Sequence, residues 1–295
     1  MTVFGLGFFS PNGGKLCSVR LSDLLGRIVE KRKGVCMLEL NQIHCGDNCD
    51  LLGQMPRECV DLVVTSPPYD DLRTYGGHSW DFFGVAWHLK RVLKPGGVIV
   101  WVVADATKDG SETGSSMEQA LHFKRLGLNL HDTMVWAKPN PRPTQSTRYE
   151  TAWEYVFVLA AGKPKTANLL REPALNAGGT RTKHRSTGGA VQDNGEGQYT
   201  IGDTKILRNV WEIGLSADGA GHPAAYPLDL VTRHLETWSL PGDLVLDPFS
   251  GSGTTAKAAK TLGRQFLGLE VNPEYCRIAE QRIAQEVLAF AFDAP

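Results

Sequence analysis

The sequence predicts an α/β fold: an open, mostly parallel sheet with helices on both faces. Two observations carry that reading. Short apolar runs of strand length alternate with segments whose apolar residues recur at helical spacing. A glycine turn, Gly251-Ser-Gly253, lies between a strand-like run and a helix-like run, and the next strand-like run ends in an acid, Glu270.

The elements follow in order. Residues 1–36 stand apart. Their first part is rich in Gly and aromatics without a period, and Leu21 to Arg32 reads as one short amphipathic helix. Met37-Leu-Glu-Leu40 opens a strand-like run. Val60 to Thr65 (VDLVVT) is a buried strand closed by a Pro-Pro turn. Asp81 to Leu93 has helical spacing and stops at Lys94-Pro-Gly-Gly97. Val98 to Val103 (VIVWVV) is another buried strand, Met117 to Leu126 a helix, and Leu130 to Ala137 and Tyr155 to Leu159 strands. From 163 to 209 the pattern dissolves into Gly, Thr, Lys and Arg, over a length too great for an ordinary connection. Order returns with a helix at Leu228 to Leu235 and a strand at Leu244 to Leu246. A helix at Thr254 to Leu262, a strand at Phe266 to Leu269 and a helix at Pro273 to Leu288 complete the chain. The organisation is thus an N-terminal extension (1–36), a first half (37–162), an inserted loop-rich segment (163–209) and a second half (210–295).

Composition excludes several classes. In 295 residues, 31 Lys+Arg face 32 Asp+Glu, a net charge of −1, which rules out a polybasic nucleic-acid coat. At 42% hydrophobic and 21% charged residues the chain buries a core. No stretch approaches 18 uncharged apolar residues, so no membrane span is expected. Met1 to Ser10 lacks the basic start of a secretory leader, and a cytoplasmic setting is expected. The six cysteines read as free thiols. His44-Cys45, Cys49 and Cys59 lack the paired C-x2-C spacing of a zinc site, so no metal is assigned and these cysteines read as small buried hydrophobes.

Two motifs carry chemistry. The first is Asp247-Pro-Phe-Ser-Gly-Ser-Gly-Thr-Thr255. Its glycines permit a tight turn and close approach of a ligand, and Glu270 can accept bonds from both hydroxyls of a ribose. The third glycine of a dinucleotide loop is missing, and Thr254-Thr255 stands where a phosphate loop has Lys-Ser/Thr. A nucleoside ligand without phosphate fits best. The second is Thr65-Ser66-Pro67-Pro68-Tyr69. Two prolines fix the turn and leave the Ser66 and Pro67 carbonyls without local donors. A hydroxyl and a carbonyl can then accept the N–H bonds of an exocyclic amine beside a flat tyrosine face. That draws the amine lone pair out of its ring for attack on an electrophilic methyl, with no covalent residue and no metal.

With both motifs in place, the chain resembles the DNA amino-methyltransferases of the β class, whose catalytic turn precedes the cofactor loop. The likeness extends over roughly residues 44–285. It includes Gly46-Asp47, Lys94-Pro-Gly-Gly97, Trp136-Ala-Lys138-Pro-Asn140, His222-Pro-Ala-Ala-Tyr-Pro227 and Gly268-Leu-Glu270 with Asn272-Pro-Glu-Tyr275. It implies a Rossmann-like methyltransferase fold with a mixed, mostly parallel sheet and S-adenosyl-L-methionine as cofactor. The cofactor contacts it implies are Asp47, Thr65, His222, Pro223, Asp247, Pro248, Phe249, Gly251, Gly253, Thr254 and Glu270. The catalytic turn it implies is Ser66, Pro67, Pro68 and Tyr69. Serine at the first position resembles the N4-cytosine group, whereas adenine-N6 enzymes carry Asp or Asn there. Adenine-N6 transfer, and a catalytically silent DNA-binding protein of the same fold, remain the alternatives. A double-stranded DNA substrate with a flipped-out base follows. The class admits a homodimer and a cognate restriction endonuclease, neither marked in the sequence.

The charge is unevenly placed. Residues 138–208 hold 11 Lys+Arg against 6 Asp+Glu, leaving 20 against 26 elsewhere. An acidic body thus carries a basic insert where the class places its target-recognition region. Lys138, Arg142, Arg148, Arg181, Lys183 and Arg185 are the candidate DNA contacts. Trp136 is a candidate for the pocket wall or the core.

Overall fold

The computed structural model describes residues 38–69, 80–141, 147–182, 198–214 and 226–292; all fall in one compact unit, Met37–Pro295. The predicted helix within residues 1–36 lies outside them. In chain order the elements are β1 (Gln42–Cys45), α1 (Asn48–Gln54), β2 (Val60–Thr65), α2 (Phe82–Val92), β3 (Leu93–Val103), the two-residue pair β4 (Thr107–Lys108) and β5 (Ser111–Glu112), α3 (Ser115–Arg125), β6 (Asn129–Ala137) and β7 (Trp153–Ala160). Then come four short strands, β8 (Arg171–Pro173), β9 (Thr180–Thr182), β10 (Gln198–Thr200) and β11 (Thr204–Ile206). The chain continues with β12 (Val210–Glu212), α4 (Leu228–Trp238), β13 (Leu244–Asp247), α5 (Thr254–Thr261), β14 (Gln265–Glu270) and α6 (Pro273–Phe292).

Among the described residues eight strands form the main sheet, in the order β1-β14-β13-β2-β3-β7-β6-β12. All neighbours run parallel except those of β7, which is antiparallel to both β3 and β6. The expected mixed, mostly parallel sheet is therefore present. Strand alternation divides the core in two. Val98, Val100 and Val102 of β3 face Leu230, Val231 and Leu235 of α4 and the alanines of α5. Ile99, Trp101 and Val103 face the other way, onto Leu52, Leu89 and Phe123 of α1, α2 and α3. Burial on both faces is why these strands read as unbroken apolar runs.

Several details differ from expectation. Lys94-Pro-Gly-Gly97 is the start of β3 rather than a free turn. A register shift between Val60 and Leu62 absorbs it, and the Gly96 amide bonds to the Ala161 carbonyl at 2.7 Å. The first strand begins at Gln42, because Asn41 takes a left-handed φ of 63° and breaks the run from Met37. The described residues of segment 163–209 hold two small antiparallel pairs, β8 with β11 and β9 with β10. The cysteines are not a buried group: Cys45 is exposed and Cys49 and Cys59 are half-buried, while Cys276 is buried. Among the described residues no helix is long and apolar enough to cross a membrane.

Candidate active site

Adjacent parallel strands β13 and β2 lead their chains in opposite directions, β13 through α5 to β14 and β2 through α2 to β3. Connections that diverge this way leave a crevice at the carboxyl ends of the two strands. The two ends are Asp247 and Thr65, and they are joined: the buried Thr65 hydroxyl donates to Asp247 Oδ1 at 2.7 Å. The Phe249 amide donates to the same oxygen at 3.1 Å, and the Tyr226 hydroxyl donates to Oδ2 at 2.9 Å. Tyr226 also bonds Thr255, whose hydroxyl reaches the Val64 carbonyl at 3.3 Å. Burial pushes the Asp247 carboxyl up from its ordinary range, against the pull of these donors. Burial and the neighbouring Asp247 push the Tyr226 phenol well up. Asp247 is thus the knot that fixes the loop following it.

That loop turns at Gly251 and Gly253, with φ of 51° and 81°. At Gly253, the residue preceding α5, a Cβ would lie 2.9 Å from the Cβ of Ala279 on α6, so only glycine fits. Arg282 of α6 holds the loop from below through the Ser252 hydroxyl at 2.8 Å. Pro248 and Thr254 are buried beside it. Glu270 ends β14 and receives the Gly251 and Asn272 amides, each at 2.8 Å. Burial pushes its carboxyl up. Pairing of Cys45 with Glu270 brings the next turn alongside, and the Gly46 amide bonds the Glu270 carbonyl at 2.9 Å. Asp47 is exposed there and caps α1 by accepting from the Asp50 amide. Phe249 stands edge-on to Trp80, centroids 4.9 Å apart. Loop backbone, apolar wall and two acids at neighbouring strand ends fit a nucleoside without phosphate.

The second half of the site follows Thr65. Pro67 is buried, and Ser66, Pro68 and Tyr69 are half-buried. Ser66 Oγ lies 2.8 Å from the Tyr69 hydroxyl, which donates to Glu154 Oε2 at 2.7 Å. Glu154, on β7, takes Lys138 on its other oxygen at 2.5 Å. The Lys138 ammonium also sits 4.9 Å over the Trp136 ring. Trp136 itself is core, 2% exposed, with its indole N–H on the Ile213 carbonyl.

Ser66, Pro67, Pro68, Tyr69, Thr65, Asp247, Pro248, Phe249, Gly251, Gly253, Thr254, Glu270 and Asp47 therefore gather at one end of the sheet. Of the candidate DNA contacts, Lys138 is engaged by Glu154. Arg148 is exposed, bonds the Gly110 carbonyl and lies 3.9 Å from Glu112. Arg181 lies in β9 opposite Tyr199. Arg142, Lys183, Arg185, His222 and Pro223 lie outside the described residues. Sequence reasoning did not single out Glu154, Thr255, Trp80 or the Tyr226 hydroxyl. The available signal for Glu154 was a lone acid in the apolar strand Trp153-Glu-Tyr-Val-Phe157.

The profile of the DNA methylase family, N6_N4_Mtase, matches residues 60–281. The orphan methyltransferase M.BamHII of Bacillus amyloliquefaciens is 43% identical over 242 residues, covering 78% of this chain and 90% of its own length. The type II methyltransferase M.BglII from Bacillus subtilis is 33% identical over 263 residues, covering 84% and 70%. Among solved structures, TTHA0409 of Thermus thermophilus, in complex with S-adenosyl-L-methionine, superposes with a TM-score of 0.57 at 27% identity, over 83% of this chain and 95% of its own. The chain belongs to the N6/N4 family of DNA methylases.

Proposed function

We propose that the chain is a site-specific methyltransferase acting on the exocyclic N4 amine of a flipped-out cytosine in duplex DNA. The cofactor is S-adenosyl-L-methionine, which when bound supplies an electrophilic methyl carbon. The residues present suit it: Glu270 for the ribose hydroxyls, Asp47 for the adenine edge, and Phe249 with Trp80 as an apolar wall. Thr65 and Asp247 act from below, fixing the loop. Ser66 Oγ and the Pro67 carbonyl accept the amine protons, Pro68 holds the turn, and Tyr69 offers its face to the base.

The observation that carries the reading is Ser66. It directly follows the Thr65–Asp247 knot, so the amine-activating turn and the cofactor loop share one rigid foundation. Serine rather than Asp or Asn at this position supports cytosine over adenine. The test is nucleoside mass spectrometry of DNA from cells expressing the protein. N4-methylcytosine is expected. N6-methyladenine alone overturns the choice of base, and neither product overturns the activity.

A further inference from the structure

A serine hydroxyl beside an amine can act in two senses. As donor it bonds the nitrogen lone pair and suppresses attack; as acceptor it takes an N–H and frees that pair. Sequence motifs do not state which sense holds, but the hydrogen-bond chain does. Glu154 is 8% exposed, at the second position of β7, where it pairs with Trp136. Bound to the Lys138 ammonium at 2.5 Å, it is a carboxylate, which accepts and does not donate. The 2.7 Å contact at its other oxygen must therefore use the single proton of Tyr69. With that proton committed, the Tyr69 oxygen is an acceptor in its 2.8 Å contact with Ser66. The Ser66 proton then points at Tyr69, and the lone pairs of Ser66 Oγ are left for an outside donor.

We propose that Glu154, held by Lys138, is a positioning residue that sets the polarity of this chain and so makes Ser66 an acceptor for the target amine. The serine-first turn thereby borrows a carboxylate from another strand without placing it against the base. The same bond pins the Tyr69 ring by its hydroxyl edge. This rests on the amine-transfer reading given above.

The test uses the full chain, S-adenosyl-L-methionine, and plasmid DNA grown in a methylation-deficient host. Glu154→Gln keeps size and shape, but its amide can donate to Tyr69 and reverse the chain. Its kcat is expected to fall by about 10²-fold, the lower end for a group that manages protons. The KM for plasmid DNA and the Kd for the cofactor should stay within about twofold. Tyr69→Phe cuts the same link without touching the Glu154–Lys138 pair, so it is expected to lose a similar factor. The double variant should be no slower than the slower single variant, since both break one chain. Wild-type kcat in either single variant overturns the proposal. So does a multiplicative loss in the double variant, or a loss in Glu154→Gln carried by KM or cofactor affinity. Should Glu154→Gln fail to fold, Tyr69→Phe decides alone. An inactive wild-type chain would instead count against the amine-transfer reading; an active wild type with unaffected variants counts against the role of Glu154 only.

Discussion

The two ends of the sheet bury polar atoms in opposite ways. Around β13 and β14 the buried groups are joined: Asp247 receives Thr65, Phe249 and Tyr226, and Glu270 receives two amides. Ser250 Oγ is the exception there. Around β6 and β12 the buried rings of Trp211, His234 and Trp238 leave their nitrogens without hydrogen-bond partners, and they meet by shape, with Trp211 tilted on His234 at 4.8 Å; the Trp136 indole, bonded to the Ile213 carbonyl, is the exception here. The small strands β8 and β11, which precede β12, are largely exposed. The contrast teaches where geometry matters. A loop that must present amides and acids to one fixed ligand is held by bonds. An edge that only has to fill space is held by packing and tolerates change.

The harshest way to break the contrast is Asp247→Ala. It removes the acceptor of three donors, of which Thr65 and Tyr226 are buried and Tyr226 keeps Thr255 as a partner; each lost bond costs about 1–3 kcal/mol. A stability loss on the order of 3–5 kcal/mol in urea unfolding and loss of cofactor binding by calorimetry are expected together. Retained stability and affinity would show that the bonds do not hold the loop. Next is Ser66→Ala, which sits on the same foundation but is not part of it. It should cost about 10²–10³ in kcat, like removal of one oxyanion-type partner, with cofactor Kd unchanged. A normal turnover would remove Ser66 from the chemistry.

At the other end, His234→Leu tests packing without bonds. Burial pushes the His234 imidazole down to about 3, so the folded chain holds it neutral. A depressed histidine contributes stability that is full above its unfolded value near 6.5 and is lost as pH falls toward 3. Below about pH 6.5 the wild type should therefore weaken relative to His234→Leu by up to about 1.4 kcal/mol per pH unit. Parallel stability curves for the two proteins between pH 7 and 4 would contradict this.

The bonded end was also the more legible one in sequence. Its strands are buried on both faces, and the glycines at 251 and 253 were readable because their backbone demands no other residue. What escaped depends on distant partners. Lys94-Pro-Gly-Gly97 carries a strong local turn signal, but pairing with Ala161 makes it strand. The seven-residue α1 buries only Leu52, too little to leave a period, although its cap, Asp47, was noticed for another reason. Glu154 gains its meaning from Tyr69, 85 residues away, and no spacing rule reports that. The strand β12 has three residues and one buried side chain, so nothing in its pattern distinguishes it from the loop before it.

The smallest expected effect is the one that most sharpens the comparison. Arg181 in β9 belongs to the basic insert, outside the bonded end, and its loss should leave the unfolding midpoint and the cofactor Kd where they are. If it neutralises a phosphate, Arg181→Ala weakens DNA binding evenly across sequences. The slope of log affinity against log salt then becomes shallower by about 1. If it reads a base edge, the salt slope holds and the set of methylated sites broadens instead. Binding measured from low to moderate salt, together with mapping of modified positions, separates these outcomes. A variant that changes neither removes β9 from the DNA face. A variant that lowers cofactor affinity would mean that the insert and the cofactor loop are one coupled region, and the division between a bonded end and a packed end would fail.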